Sequence, residues 1–291
     1  MSAVPAVWTV RALLDWTTRH FQAKGIDSPN LDARLLLANV LNCKPIEVLM
    51  RSDDEPTAAE RAKYREFIQK RIDGCPVAYL IGTRDFYLLS FDVTPAVLIP
   101  RPDTETLVEV ALEALNGKSN PSIIDLGTGS GCLAVSLAHQ RKDATVLAVD
   151  VSPDAAELAR KNATKHGVSD RVSVAVGNLF GPVPVESRFD LIVSNPPYIP
   201  PSEIETLDVG VKDYEPRLAL DGGPDGLTFY RRIASEAAAF LKPGGRLAVE
   251  IGWTQEPAVR ELFESSGAWD VGPSRKDYGG RWRVVQATKR G

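Results

Sequence analysis

The sequence predicts an α/β fold: a mostly parallel sheet with an antiparallel C-terminal edge hairpin, preceded by a small all-α domain. Three observations predict it. Apolar stripes at helical spacing occupy Thr9 to about Arg71. From Pro121 onward, short apolar runs alternate with helical stretches, the pattern of a parallel sheet covered by helices. The last two apolar runs, Trp269–Val271 and Arg281–Ala287, follow one another with no helix between them, as an antiparallel edge pair requires.

Thr9 caps a first helix with Val10, Leu13, Leu14, Thr17 and Phe21 on one face, stopped by Gly25. Ser28-Pro29 opens a second helix whose stripe is Leu31, Leu35, Ala38 and Leu41. Pro45 to Arg51 is a short third. Thr57 with Glu60 is a capping box for a fourth, with Tyr64, Phe67, Ile68 and Ile72 inward and Gly74 and Pro76 as stops. No chemical motif lies in this region, which suits recognition or packing. Tyr79-Leu80-Ile81, Phe86-Tyr87-Leu88 and Phe91-Asp92-Val93 are β-rich pieces broken by Gly82, Ser90 and Pro95, and predict a bridging hairpin. Asp103 is expected to cap a helix through Leu115 that Gly117 ends. Strands are then expected at Ser122–Leu126, Thr145–Asp150, Val172–Gly177, Phe189–Ser194 and Arg246–Ile251, with helices at Cys132–Gln140, Pro153–His166 and Leu227–Leu241. The expected domains are residues 1–75 (helical), 76–102 (hairpin linker) and 103–291 (α/β).

A chain of 291 residues, 44% apolar and 25% charged, can bury a core without disulfide or metal staples. With 34 basic against 38 acidic residues the net charge is −4, which weighs against direct nucleic-acid binding. Cys43, Cys75 and Cys132 form no disulfide framework. With only His20, His139 and His166 beside them, they show no metal-ligand spacing, so no metal is expected. Met1 to Val10 lacks the basic and apolar regions of a leader, and no apolar run approaches the roughly 18 residues that span a bilayer. A monomer in the reducing cytoplasm, away from membranes, is expected.

Two motifs carry chemistry. In Asp125-Leu126-Gly127-Thr128-Gly129-Ser130-Gly131 the glycines stand where the first sheet strand meets its helix, and they let backbone and helix N-terminus approach a ligand. The dinucleotide fingerprint would need glycine where Cys132 stands, so the spacing fits a ligand without a pyrophosphate better. Asp150 ends the next strand, where a carboxylate accepts from both ribose hydroxyls of a nucleoside. A tight turn without ligand and a plain helix cap are the bland alternatives for these residues. Asn195-Pro196-Pro197-Tyr198 follows the buried strand Leu191-Ile192-Val193. Its two prolines remove N–H donors and leave carbonyl acceptors, Asn195 adds an amide, and Tyr198 offers a flat face. Such a set suits a planar NH2 group.

Together with Pro76-Val77-Ala78-Tyr79-Leu80-Ile81-Gly82, Val97-Leu98-Ile99-Pro100-Arg101-Pro102-Asp103-Thr104-Glu105 and Glu215-Pro216-Arg217-Leu218-Ala219-Leu220-Asp221-Gly222-Gly223, these motifs resemble the HemK/PrmC family. Its members are class I S-adenosylmethionine-dependent methyltransferases acting on the glutamine of peptide chain release factors. The resemblance implies a Rossmann-like, seven-stranded sheet and S-adenosyl-L-methionine as cofactor. It implies as partner a release factor offering its Gly-Gly-Gln loop. By position, Gly127, Thr128, Gly129, Ser130 and Gly131 would hold the methionine part, Asp150 the ribose, and Asn178 and Leu179 the adenine. The family usually has aspartate where this chain has Asn178. Asn195 would touch cofactor and substrate, and Asn195, Pro196, Pro197 and Tyr198 would grip the glutamine amide. Two other readings stay open: an adenine-N6 methyltransferase, which needs base extrusion and a basic groove, and a non-catalytic module that only binds the cofactor. Mixed-sign runs such as Glu60-Arg61-Ala62-Lys63-Tyr64-Arg65-Glu66 read better as a solvated helix face than as a basic groove.

Overall fold

Side-chain caps start the first helices where the sequence places them. Thr9 Oγ1 accepts from the Ala12 N–H at 3.2 Å and opens helix Val10–Ala23. The Thr57–Glu60 capping box is closed in both directions, at 3.2 Å and 2.6 Å, and opens helix Ala58–Ile72. The computed structural model describes residues 7–291; residues 1–6, on which part of the leader reading falls, lie outside the described residues. By contacts the chain forms two units. One takes in the described residues to Gly82 together with Asp208–Tyr214, the other Thr83–Leu207 and Glu215–Gly291.

In the helical unit, helices Pro29–Val40 and Pro45–Met50 complete a core of Val10, Phe21, Leu36, Leu37, Val48 and Tyr64. The Tyr64 hydroxyl donates to the Ala33 carbonyl at 2.9 Å, which satisfies its buried polar end. Two expectations are corrected here. The second helix buries Ala33, Leu36, Leu37 and Val40 and leaves Leu31 exposed. It is packed by the helices before and after it, so its buried arc is wider than one stripe and lies to one side of the predicted face. Tyr79-Leu80-Ile81 is part of a short helix, Val77–Ile81, rather than strand, ended by Gly82 at φ +78°. Packing of Val77, Leu80 and Ile81 on the helical core overrides their β-propensity. The returning segment is held closely: Tyr214 Oη donates to the Asp73 carbonyl at 3.1 Å.

The second unit begins with the hairpin β1 (Thr83–Phe86) and β2 (Leu89–Asp92). Tyr87 and Leu88, expected in a strand, are instead its turn, with φ of +46° and +65°, and Ser90 lies inside β2 rather than breaking it. Asp103 does not cap the next helix. It sits in a 3-10 turn, Pro102–Thr104, ahead of helix Glu105–Ala114, and its carboxylate pairs with Arg283 at 2.9 Å. The main sheet contains β3 (Ser122–Leu126), β4 (Thr145–Asp150), β5 (Val172–Val176), β6 (Phe189–Ser194), β7 (Leu241–Glu250), β8 (Trp269–Val271), β9 (Arg275–Lys276) and β10 (Trp282–Lys289). Seven strands run in the order β5-β4-β3-β6-β7-β10-β8, and the two-residue β9 pairs with β10 as an eighth. Strands β3 to β7 are parallel; β10 is antiparallel to β7 and β8, so the edge pair is as predicted.

Alternation along the strands splits the core in two. Ile123, Val146, Leu191, Val193 and Ala248 face one cluster with helices Glu105–Ala114 and Cys132–Gln140. Ile124, Val149, Ile192, Leu247 and Val249 face the other with helices Thr228–Glu236 and Glu256–Ser265. Both faces are covered, which is why the parallel strands read as unbroken apolar runs. Among the described residues no helix is long and apolar enough to cross a membrane.

At the amino ends of the strands, Asp190 accepts from Lys118 and Lys242 Nζ at 3.2 Å and 2.6 Å and from the Ser122 N–H at 2.9 Å. Burial raises its pKa, but these donors outweigh burial and hold it at about 2. A depressed carboxylate pKa stabilises above the unfolded value and loses that stability as pH falls through the folded one. Asp190→Asn is therefore expected to cost about 2 kcal/mol at neutral pH, and progressively less as pH drops from about 4 to about 2. Urea unfolding across that range checks it.

Candidate active site

The strand order reverses between β3 and β6, and in open α/β sheets ligands bind in the crevice at the carboxyl ends flanking such a reversal. A cleft of about 260 Å³ lies there. Gly127, Thr128, Gly129 and Ser130 line it after β3, Asp150 at the end of β4, Asn178 and Leu179 after β5, and Asn195, Pro196 and Pro197 after β6. Four consecutive turns of the parallel sheet thus converge on one space. Two predicted residues do not line it. Gly131 begins helix Cys132–Gln140, and a Cβ there would come within 3.1 Å of Ala159, so its smallness serves helix packing. Tyr198 turns back onto the sheet core, where burial pushes its hydroxyl pKa up.

The glycine loop has the form a close ligand requires. Gly127, Gly129 and Gly131 all have positive φ, a region other residues rarely adopt. A Cβ on Gly129 would project into open space, so the cradle is shaped by its absence. Asp150 orders the loop: its carboxylate accepts from the Gly129 N–H at 2.8 Å and from the Ser152 N–H at 2.9 Å. Ser152, not Asp150, caps the following helix by accepting from Ala155 N–H. Each Asp150 oxygen keeps a lone pair for a diol. Burial raises the Asp150 pKa, opposed by the backbone N–H groups of Ser152, Gly129 and Val151. Beneath the loop, Asp125 accepts from Thr128 Oγ1 at 2.6 Å, while its other oxygen and the Ser130 hydroxyl are buried without partners. The residues therefore fit a nucleoside ligand with a polar tail.

Asn195 is held from outside the motif. Its Nδ2 donates to Thr104 Oγ1 at 3.3 Å, which leaves Oδ1 as the free acceptor. Thr104 neighbours Glu250, a buried acid at the end of β7. Burial pushes Glu250 up to about 7, against the Thr104 hydrogen bond and the Arg283 charge. Arg101 reaches both oxygens of buried Glu215, at 2.7 Å and 2.8 Å, joining the two segments that flank the cleft. Behind Tyr198, Gln255 Nε2 donates to its carbonyl at 3.0 Å, and a Cβ on Gly222 would lie 2.6 Å from its Cα. Thr104, Glu250, Gln255 and Gly222 were not assigned from sequence. Glu250 carried one signal, an acid ending an apolar strand as Asp150 does; Gln255 carried none.

The fold and its glycine-rich, acid-tipped strand ends define a class I S-adenosylmethionine-dependent methyltransferase. In line with that fold, the chain superposes on the hMettl16 catalytic domain solved in complex with the MAT2A 3′UTR hairpin 6 (TM-score 0.56, 18% identity, 77% of this chain and 81% of that one). It also superposes on a methyltransferase from Pyrococcus furiosus (TM-score 0.50, 22% identity, 69% and 88%). Family models match residues 12–82 as a PrmC N-terminal domain and residues 103–209 as a methyltransferase small domain. The release factor glutamine methyltransferase of Geobacter sulfurreducens is 43% identical over 93% of both chains, and that of Moorella thermoacetica 42% identical over 97% of this chain and 99% of that one. The chain belongs to the release factor glutamine methyltransferase family.

Asp125 supplies a test of the buried loop. Burial pushes its pKa up to about 7, opposed by Thr128 and reinforced by the Asp150 charge. A raised carboxylate pKa makes the folded state the tighter proton binder, so stability falls as pH rises from about 4 to about 7. Asp125→Asn removes that dependence. The melting temperature of the variant minus that of the wild type is expected to increase steadily across this window in calorimetry; a constant difference would refute the assignment.

Proposed function

We propose that the chain transfers the methyl group of S-adenosyl-L-methionine to the side-chain amide nitrogen, N5, of the glutamine in the Gly-Gly-Gln loop of peptide chain release factors. The observation that carries this reading is the Asn195-Pro196-Pro197 turn, which lines the same cleft as Asp150 and the glycine loop with Asn195 Oδ1 left free. S-adenosyl-L-methionine supplies an electrophilic methyl group on a sulfonium sulfur. In this reading Gly127, Thr128, Gly129 and Ser130 cradle its methionine part, with Gly131 setting the helix behind them. Asp150 holds the ribose, and Asn178 and Leu179 flank the base.

A carboxamide nitrogen is a poor nucleophile because its lone pair is delocalised into the carbonyl. Asn195 Oδ1 and the Pro196 carbonyl accept its two hydrogens and aim the nitrogen at the methyl group, which is catalysis by positioning. The same acceptors favour the positive charge that grows on nitrogen during transfer, before a proton is shed. Prolines at 196 and 197 keep the turn rigid, so little reorganises as charge develops. Tyr198, anchored by Gln255 through its carbonyl, backs the turn from the core side.

The reading carries further proposals: a monomer acting in the cytoplasm, with no membrane and no direct nucleic-acid contact, consistent with a net charge of −4. The helical unit is proposed to contact the body of the release factor. Mass spectrometry of a release factor incubated with enzyme and S-adenosyl-L-methionine is expected to show one added methyl group on the loop glutamine, and none on DNA offered instead. Asn195→Ala is expected to abolish transfer while leaving S-adenosylhomocysteine affinity largely intact; near-native turnover would sink the role given to Asn195. Charge-reversal substitutions on the exposed faces of helices Pro45–Met50 and Ala58–Ile72 are expected to raise KM for whole factor more than for a loop peptide; equal effects would count against the docking role.

A further inference from the structure

Asn178 stands at the far end of the row of strand ends that forms the cleft. The row runs from the glycine loop after β3, through Asp150 on β4, to Asn178 after β5, and the Gly177 N–H ties the last two ends together by donating to the Asp150 carbonyl at 2.8 Å. Leu179 then takes a left-handed conformation, φ +51°, and buries its side chain, which fixes the turn that presents Asn178. From helix Thr228–Glu236, Arg232 Nη1 donates to Asn178 Oδ1 at 2.7 Å, while Arg232 Nε donates to Glu236 at 3.0 Å. A guanidinium has donors only and keeps its charge at all working pH values. The end of the Asn178 amide that meets it must therefore be the carbonyl, and the NH2 is the end left for a ligand.

We propose that Arg232, acting through Asn178, makes the base-binding end of the cleft a hydrogen-bond donor, which selects for an acceptor nitrogen of the purine ring and not for its exocyclic amino group. This rests on the cofactor reading above. Arg232 is a positioning residue here: it sets which end of the amide faces the ligand. An aspartate at position 178 would bind the same guanidinium and still present only acceptors, so it would depend on the amino group. The single change between aspartate and asparagine thus inverts the polarity of the contact, and the arginine holds the inversion in place.

Isothermal titration of the whole protein tests this with two ligands: S-adenosylhomocysteine, and its analogue with hydrogen in place of the purine amino group, which keeps every ring acceptor. Wild type is expected to bind the two within about threefold of each other. Asn178→Asp is expected to disfavour the analogue by about tenfold or more, because its carboxylate loses a donor partner. Arg232→Ala frees the amide to turn and is expected to shift the preference in the same direction, whereas Arg232→Lys, which still offers a cationic donor, is expected to keep the wild-type ratio. A merely structural role would weaken both ligands alike. A tenfold loss of the analogue by wild type, or an unchanged ratio in both Asn178→Asp and Arg232→Ala, overturns the proposal while leaving the cofactor reading standing. Failure of wild type to bind S-adenosylhomocysteine at all overturns both. The side chains lie at the surface, where substitution threatens folding little.

Discussion

The reversal of strand order between β3 and β6 is the constraint on which the site depends. Helices of consecutive βαβ units leave the sheet on opposite faces at that point, and a crevice opens that neither set can fill. Everything with a chemical role sits on its rim: glycines where backbone must come close, acids where a polyol is to be held, and the proline-stiffened turn where an amide is to be aimed. The core beneath is symmetrical in its demands, since each parallel strand feeds two apolar clusters by simple alternation. That leaves the rim free to carry polar groups without disturbing the packing that positions it.

Charge on the rim is arranged in neighbourhoods with distinct tasks. The Arg101–Glu215 pair joins segments more than a hundred residues apart, one guanidinium nitrogen reaching both oxygens of a buried carboxylate, and gives register more readily than stability. Thr104 and Glu250 sit behind Asn195 and decide which end of its amide is free. Arg232 does the same for Asn178 at the other end of the cleft. In both places the visible motif residue is an amide, whose two ends differ in hydrogen-bond sense but hardly in shape, so a second residue must set its orientation.

Much of the architecture was legible in the chain. Strands β3, β4 and β6 and helix Cys132–Gln140 end where the apolar runs and their punctuation end, because burial on both faces leaves the sequence no other pattern. The helical unit was legible in its caps and less so in its faces: Thr9 and Thr57 announce their helices, but the second helix is packed on several sides, and periodicity alone placed its stripe too near Leu31. Tyr79-Leu80-Ile81 misled because β-propensity describes a preference for a half-buried surface, and a helical core offers one as well.

The sequence by itself determined the alternation of strands and helices from β3 to β6, the glycine loop, the acid that follows it and the Asn-Pro-Pro-Tyr turn, since each depends on neighbours a few residues apart. Only the tertiary structure decided which of these residues share a cleft. It set Gly131 to helix packing and Tyr198 to the core, and it brought Thr104, Glu215 and Arg232 to residues 54 to 114 positions away. The reason is physical. Local periodicity records which side of an element is buried, whereas the sense of a hydrogen bond to an amide or a carboxylate depends on partners that only the folded sheet brings within 3 Å or so.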